Sequence, residues 1–306
     1  MLRLYTHPAC LQHDPGPGHP ESPARLRAVL TALDRDRFAA LDRIEAPLAS
    51  IEALERVHDP AYVARILASA PAEGVVRLDE DTLMSPASAE AALRAAGAVV
   101  AAIDAALDER ANRAFCAVRP PGHHATADQA MGFCLFNNVA VGAAHALAEH
   151  GLERVAIADF DVHHGNGTQD IFAREPRVLF VSSHQSPLYP GSGGADETGA
   201  GNLLNAPLPP GTGSLGFRQT WDEQLLPRLD AFRPQLLLVS AGFDAHRADP
   251  LAQLELVADD YAWLTSRLLE IARTHAGGRV VSTLEGGYDL DALAASAAAH
   301  VAVLMG

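Results

Sequence analysis

The sequence predicts an α/β protein with an open parallel sheet and helices on both faces, and three observations lead to this prediction. Five short apolar runs are spaced along the chain, Ala/Leu-rich stretches separate them, and nearly all the unusual polar residues directly follow a run. Continuous apolar runs of this kind are typical of strands buried on both faces of a parallel sheet. In such sheets the carboxyl ends of the strands meet at one edge, where active sites form.

The predicted elements alternate in the order strand then helix. The strands are expected at 114–118, 154–158, 177–182, 235–240 and 279–284, and the helices at 86–108, 136–150, 214–231, 252–274 and 290–304. The Pro/Gly-rich segments 15–20 and 187–213 are expected to be long surface loops. Since no repeat, charge block or low-complexity linker divides the chain, residues 1–306 are predicted to form one domain.

Composition excludes several classes of protein. A hydrophobic content of 48% excludes a mainly disordered chain, and a formal charge of -15 disfavours binding to the phosphate backbone of nucleic acids. All 23 basic residues are arginine, which excludes lysine Schiff-base chemistry and lysine-dependent phosphate loops. Three widely spaced cysteines indicate no disulfide framework, and no apolar run is long enough to cross a membrane. We therefore expect a soluble cytoplasmic protein.

Three side chains that follow two of the predicted strands are candidate metal ligands. Asp161 and His163 are two residues apart at a strand end, so their side chains point the same way, and Asp244 follows another strand. An oxygen, nitrogen, oxygen set without a thiolate suits a catalytic divalent metal, usually Zn²⁺, and Fe²⁺ and Co²⁺ accept the same ligand types. Taken alone, however, the Asp-x-His pattern is more typical of a polar strand end without a metal.

The residues after two further strands strengthen the metal hypothesis. His123 and His124 follow two prolines that hold both imidazoles in one turn, and Tyr288 follows two glycines that permit a tight turn. A metal, two imidazoles and a phenol together supply what amide hydrolysis needs: a polarised carbonyl, an activated water, proton transfer and oxyanion stabilisation.

Several long motifs resemble the histone deacetylase superfamily, especially its class II-like bacterial members, the histone deacetylase-like amidohydrolases. The motifs are RPPGHHA, GFCLFNNVAVGA, DFDVHHGNGTQDIF, SAGFDAHRADPL and LEGGYDL, preceded near the amino terminus by HDPGPGHPESPARLRA. The resemblance covers nearly the whole chain. It implies an arginase/deacetylase fold and the removal of acetyl groups from amines through a zinc-bound water.

The resemblance also assigns roles residue by residue. It makes Asp161, His163 and Asp244 the metal ligands, His123 and His124 the catalytic imidazoles, and Tyr288 the phenol that hydrogen-bonds the substrate carbonyl. Asp159 is expected to orient His123, and Asn166 to orient His124. Because Asn166 is uncharged, His124 should be less basic than it would be with an Asp partner, which suits His124 as the base and His123 as the acid.

Other residues match the family's substrate channel. Gly132 and Phe133 are expected along it, and Tyr189 opposite Phe133, where many members have a second Phe. Arg25 resembles an inner-channel arginine that contacts acetate. The family further implies a structural K⁺ site, formed partly by backbone carbonyls near Asp159, Asp161, His163 and Ser182, and a homo-oligomer.

Three alternatives remain open on the sequence. An arginase-like ureohydrolase would need carboxylates where Gly165 and His246 stand, and a catalytically silent metal-binding module would not need both imidazoles and Tyr288. The third is an acetylpolyamine amidohydrolase in place of an enzyme for acetyl-lysine peptides. Polyamine-selective members carry a Glu where this chain has Leu251, so the sequence favours acetyl-lysine over another small acetylated amine.

Overall fold

Eight parallel strands form the central sheet of the protein, which a computed structural model describes for residues 2–108 and 110–306. These strands are β1 (Leu2–Thr6), β2 (Asp42–Glu45), β5 (Arg113–Cys116), β6 (Val155–Asp159), β7 (Val178–Gln185), β8 (Leu203–Leu208), β9 (Leu236–Ala241) and β10 (Val280–Leu284). Their order across the sheet is β2-β1-β5-β10-β9-β6-β7-β8. A separate antiparallel pair contains β3 (Val76–Arg77) and β4 (Leu83–Met84).

The helices cover both faces of the sheet. They are α1 (Ala9–Gln12), α2 (Pro23–Ala32), α3 (Ile51–Glu55), α4 (Pro60–Ala68), α5 (Ser88–Leu107), α6 (Asn138–Glu149), α7 (Asn166–Phe172), α8 (Ser214–Thr220), α9 (Leu226–Phe232), α10 (Ala258–His275) and α11 (Leu290–Met305). A π-helical segment, Trp221–Leu225, joins α8 to α9. One layer contains α5 packed on α6, and the other contains α11 packed between α10 and α2. Among the described residues, no helix is both long and apolar enough to cross a bilayer.

Side-chain caps place the starts of several helices. Asp59 precedes α4, which begins with Pro60, and Asp289 precedes α11; both carboxylates accept backbone N–H groups from the first turn. Asn137 caps α6 in the same way, with its Oδ1 accepting from Ala140. Its Nδ2 also donates to the carbonyl of Ala125, 3.1 Å away, which ties the start of α6 to the turn that carries the tandem histidines.

The strand order brings the chemically distinctive loops together. Strands β6 and β9 are neighbours in register, with Asp159 opposite Ser240, so the segments that follow them emerge side by side. Strand β10 pairs with β9 on one side and β5 on the other. All residues of β6, β7, β9 and β10 are buried. The four loops after β5, β6, β9 and β10 therefore converge at one edge of a rigid core.

The structure confirms the predicted parallel sheet and all five predicted strands, and it adds elements that the pattern missed. The edge strands β2 and β8 carry polar residues and, in β8, Pro207, so they lack a continuous apolar run. Because β8 lies within 187–213, the prediction that this whole segment is a loop was wrong. The helix expected from residue 252 begins only at Ala258, since Glu255 and Leu256 take part in isolated bridges instead.

Candidate active site

A cavity of about 250 Å³ opens at the edge where the four loops converge. Its lining consists of Asp81, His124, Gly132, Phe133, His163, Leu188, Tyr189, Leu251 and Tyr288. Asp81 comes from the turn between β3 and β4, and Leu188 and Tyr189 come from the segment after β7. Four residues that the sequence analysis expects along a channel, Gly132, Phe133, Tyr189 and Leu251, lie together in this lining.

The three candidate metal ligands meet at the base of this edge. One ligand atom from each of Asp161, His163 and Asp244 lies within 4.8 Å of the others. His163 Nδ1 is 3.1 Å from Asp161 Oδ1 and 3.2 Å from Asp244 Oδ2. Asp161 and His163 follow β6, and Asp244 follows the neighbouring strand β9. The pairing of these two strands therefore brings the three side chains together.

The two carboxylates fit a divalent cation. Asp161 and Asp244 are 1% and 0% exposed, and within the described part of the chain neither is paired with an arginine. Backbone N–H groups reach both oxygens of Asp161, from His163 to Oδ1 at 2.9 Å and from Gly286 to Oδ2 at 2.8 Å, and the N–H of Val162 donates to Asp244 Oδ1 at 2.9 Å. Two buried anions this close need a cation to balance them, and an imidazole beside them completes the donor set that zinc prefers.

Two glycines permit this close approach of the carboxylates. A Cβ on Gly286 would overlap the carboxylates of both Asp244 and Asp161, and a Cβ on Gly242 would overlap that of Asp161. Any side chain at either position would push the carboxylates apart. The glycines in GFD and EGGY are therefore required by the packing of the site itself.

The tandem histidines stand beside the metal-ligand cluster, each held by a polar partner. Their ring centroids are 4.0 Å apart. His123 Nδ1 lies 2.9 Å from Asp159 Oδ2, and His124 Nδ1 lies 2.8 Å from Asn166 Oδ1. Asp159 and Asn166 thus each contact the Nδ1 atom of one imidazole, which leaves the Nε2 atom of each ring for other partners.

The two imidazoles differ in basicity. Burial alone would lower the pKa of His123, but the charges of Asp161 and Asp159 outweigh it and raise this pKa to about 10. Burial, together with the positive charges of His123 and His163, holds the pKa of His124 well below its usual range. At neutral pH His124 is therefore neutral, and His123 holds a proton. A cation bound by Asp161 and Asp244 would weaken the attraction and lower the pKa of His123.

Aromatic rings form the walls of the cavity. The rings of Phe133 and Tyr288 are 5.9 Å apart, and Tyr189 packs edge-on against His124 with centroids 5.2 Å apart. Phe133 has a positive φ of 69°, and a Cβ on the preceding Gly132 would overlap the ring of His124. This backbone turn presses the channel wall against the imidazole.

Arg25 lies behind the cavity wall. It is fully buried on α2, and its Nε and Nη2 donate to the carbonyls of Gly287 and Glu285 at 2.5 Å each. Its guanidinium carbon is 4.8 Å from the ring centroid of Tyr288. Arg25 therefore supports the loop that carries Tyr288, and the contact with acetate stays a prediction.

Sequence reasoning missed the roles of two buried carboxylates. Glu285 accepts the backbone N–H groups of Gly122 and His123, at 2.7 and 3.2 Å, and so holds the histidine turn against β10. Burial raises the pKa of Glu285 to about 7. Asp249 binds the backbone of Tyr288. Both residues stand inside quoted motifs, yet their partners are distant in sequence and could not be read from spacing.

The arginase-like alternative lacks ligands in the structure. A Cβ on Gly165 would overlap Asp159, so this position has no room for a carboxylate. His246 uses its Nδ1 to accept the backbone N–H of Ala248 at 3.2 Å. Neither position adds an acidic ligand for a second metal.

The sequence and the fold are similar to those of known proteins. The histone deacetylase domain family matches residues 19–304. The chain is 46% identical over 277 residues to a histone deacetylase-like amidohydrolase of Pseudomonas aeruginosa, covering 89% of this chain and 73% of the relative. It is 40% identical to a probable deacetylase of Archaeoglobus fulgidus, covering 93% and 80%. The crystal structure of the HDA15 HD domain superposes with a TM-score of 0.93 at 35% identity, covering 99% of this chain and 88% of that one.

Proposed function

The chain belongs to the histone deacetylase family and is a hydrolase of amide bonds, and on that premise we propose that it is a zinc-dependent deacetylase of acetyl-lysine or a related acylated amine. The observation that carries the proposal is the convergence of His124, His163 and Tyr288 on one narrow cavity beside Asp161 and Asp244. The products are acetate and a free amine. We assign the activity to one catalytic domain over residues 1–306.

We infer that Asp161, His163 and Asp244 hold the divalent cation. This inference is supported by the two buried carboxylates, which have no arginine partner among the residues that the structure describes, and by the imidazole beside them. When bound, such a cation supplies Lewis-acid polarisation of the acyl carbonyl and a lowered pKa for water. Zn²⁺ suits the donor set, as do Fe²⁺ and Co²⁺.

His124 is the proposed general base. Its Nδ1–H donates to Asn166, so Nε2 has a free lone pair that can accept a proton from the attacking water. The depressed pKa of His124 keeps that lone pair available at neutral pH. Since Asn166 carries no charge, it orients the ring and raises its basicity less than a carboxylate would.

His123 is the proposed general acid, and Tyr288 the proposed oxyanion donor. The Asp159 carboxylate holds Nδ1 of His123, which leaves the proton on Nε2 for the departing amine nitrogen. Burial raises the pKa of Tyr288 well above its usual range, so its hydroxyl stays protonated and donates to the carbonyl oxygen as negative charge develops there.

The residues that line the cavity favour an amide with a slender aliphatic chain as the substrate. Phe133, Tyr189, Leu188 and Leu251 present mainly apolar surface, which suits the methylene chain of acetyl-lysine. Leu251 places no charge where polyamine-selective relatives have a Glu. The hydroxyl of Tyr189 is a departure from a plain aromatic wall, and Tyr189 is 39% exposed at the mouth.

One observation favours acetylpolyamines as the second candidate. Asp81 lines the same cavity, and its carboxylate would attract the free ammonium of an acetylated polyamine. The net charge of -15 adds a general attraction for cations, which serves basic peptides equally. By analogy with the family, the proposal includes a structural K⁺, a homo-oligomer and a cytoplasmic location.

A substrate comparison tests the proposal. We would measure kcat/KM of the zinc-loaded protein on an acetyl-lysine peptide, a longer-acyl peptide, and acetylated putrescine and spermidine. The acetyl-lysine peptide should be hydrolysed fastest. Faster turnover of a polyamine would replace our substrate with the second candidate, whereas a zinc-bound protein that hydrolyses none of them would be the silent module.

A further inference from the structure

A second cluster of metal-binding side chains lies on the packed pair α5 and α6, outside the cavity described above. Its members are Asp104, His145 and His150, which place one ligand atom each within 4.8 Å of one another. A single oxygen, Asp104 Oδ1, is 2.7 Å from His145 Nε2 and 2.8 Å from His150 Nε2. None of the three contributes to the lining of the catalytic cavity.

The positions of the three residues join two helices. Asp104 is in the last turn of α5, His145 is on α6, and His150 directly follows the last residue of α6. The free carbonyl groups at the carboxyl end of a helix favour a positive charge nearby. The side chains of Asp104, His145 and His150 are 37%, 11% and 22% exposed. The cluster is therefore held by the packed helices and is also accessible to water.

We propose that Asp104, His145 and His150 form a second, structural zinc site that joins α5 to the end of α6. Two imidazole nitrogens and one carboxylate oxygen are a common zinc donor set, and water from the open side would complete four-coordination. Zinc replaces the Nε2 protons that now point at Asp104. Zinc–ligand distances of about 2.0–2.2 Å require ligand atoms about 3.3 Å apart, so the carboxylate needs to move back by only about half an ångström.

Arg56 makes a hydrogen bond to His145 that zinc binding would break. Arg56 Nη1 lies 3.4 Å from His145 Nδ1, with its proton directed at that nitrogen. A histidine that binds zinc through Nε2 carries its remaining proton on Nδ1, so zinc binding breaks this contact. Glu149 and Glu52, at 2.5 and 3.5 Å from Arg56 Nη2, offset its charge. Replacing Arg56 with an uncharged acceptor should therefore strengthen the site.

The test counts zinc ions on the full chain. After gel filtration from zinc-containing buffer, metal analysis should find two zinc ions per wild-type chain, and one in each of His150→Ala and Asp244→Ala. His150→Ala should keep wild-type turnover of the best substrate, because the cluster is remote from the cavity. The matched control is His275→Gln, which removes another partly buried histidine, 2.8 Å from Asp230, and should leave two ions bound.

Affinity measurements complete the test. In competition with a zinc indicator dye, Arg56→Gln should tighten the site that His150→Ala removes by severalfold, and Asp104→Asn should weaken it at least tenfold. One zinc per wild-type chain, or equal zinc content in His150→Ala and His275→Gln, would overturn the proposal. Unchanged or weaker binding in Arg56→Gln would also count against it. Because Asp244→Ala reports on the catalytic ion separately, failure here leaves the deacetylase proposal intact.

Discussion

The carboxylate of Asp249 holds the backbone of Tyr288, whose N–H donates to Asp249 Oδ2 at 2.7 Å. The other oxygen, Oδ1, accepts the backbone N–H of Leu251 at 3.0 Å. One side chain therefore ties the loop after β9 to the loop after β10, and both loops line the cavity. Because Gly287, just before Tyr288, has a positive φ of 122°, the backbone here depends on such contacts to hold its conformation.

Replacing Asp249 should impair turnover through the position of Tyr288. We expect Asp249→Ala to lower kcat roughly tenfold or more with a smaller change in KM, approaching Tyr288→Phe, for which we expect about a hundredfold loss. Asp249→Asn keeps one acceptor oxygen and should recover part of the rate. Steady-state kinetics at matched zinc content check this. Full kcat in Asp249→Ala, or a loss traced entirely to missing zinc, would contradict the positioning role.

A charge at position 166 should move the pH dependence of the reaction. Asp in place of Asn166 would put a carboxylate 2.8 Å from His124 Nδ1 and raise the pKa of that imidazole. Since the base must be neutral to accept a proton, a higher pKa moves the acidic limb of the kcat/KM profile to higher pH. Asn112→Asp, at the opposite end of β5, controls for added surface charge. Overlapping profiles for Asn166→Asp and the wild type would refute the base role of His124.

The sequence predicted the centre of the fold and the core of the site for one physical reason. Strands buried on both faces must be continuous apolar runs, and the chemistry at their carboxyl ends is then ordered by the sheet. The sequence pattern did not predict the edge strands β2 and β8, because each pairs with a strand on one side only and can tolerate polar residues. The pattern did not predict helix α2 either, since its apolar stripe is weak and its Arg25 is buried rather than exposed.

Contacts between distant segments were the part of the site that the sequence could not predict. The acceptors for Tyr288 and for the histidine turn, Asp249 and Glu285, act through backbone N–H groups, which any residue possesses. A pattern of side chains in the sequence therefore cannot predict which backbone N–H group such a carboxylate will bind. The orienting pairs of His123 and His124 could be expected because the family resemblance named both partners.

Acid should destabilise the fold through buried neutral histidines, of which His58 is a clear example. His58 is 2% exposed, with Nδ1 2.9 Å from the carbonyl of Thr126 and Nε2 accepting the N–H of Asn137 at 2.9 Å. Burial lowers its pKa from 6.5 to about 4. As the pH falls, the unfolded chain protonates His58 before the folded protein does. The contribution of neutral His58 to the free energy of unfolding is therefore complete above pH 6.5 and is lost as the pH falls toward 4. The loss amounts to about 3 kcal/mol.

Urea unfolding at pH 7, 5.5 and 4.5 measures this effect. His58→Gln can donate and accept but does not titrate, so its free energy of unfolding should fall less steeply with acid than that of the wild type. His275→Gln, on the surface beside Asp230, should keep the wild-type slope. Equal slopes for His58→Gln and the wild type would show that His58 does not contribute to the acid sensitivity.

A carboxylate at position 251 should change the choice of substrate. Leu251 lines the cavity near Tyr288, and its backbone is held by Asp249, so Leu251→Glu would project a charge toward the path of a substrate's distal ammonium. An attraction of about 1.4 kcal/mol corresponds to a tenfold change in kcat/KM. We therefore expect the ratio of acetylspermidine to acetyl-lysine peptide turnover to rise roughly tenfold in Leu251→Glu. Leu251→Gln has nearly the same shape without the charge and should leave the ratio near the wild-type value. Equal shifts in the two variants would mean that shape, and not charge, selects the amine at this wall.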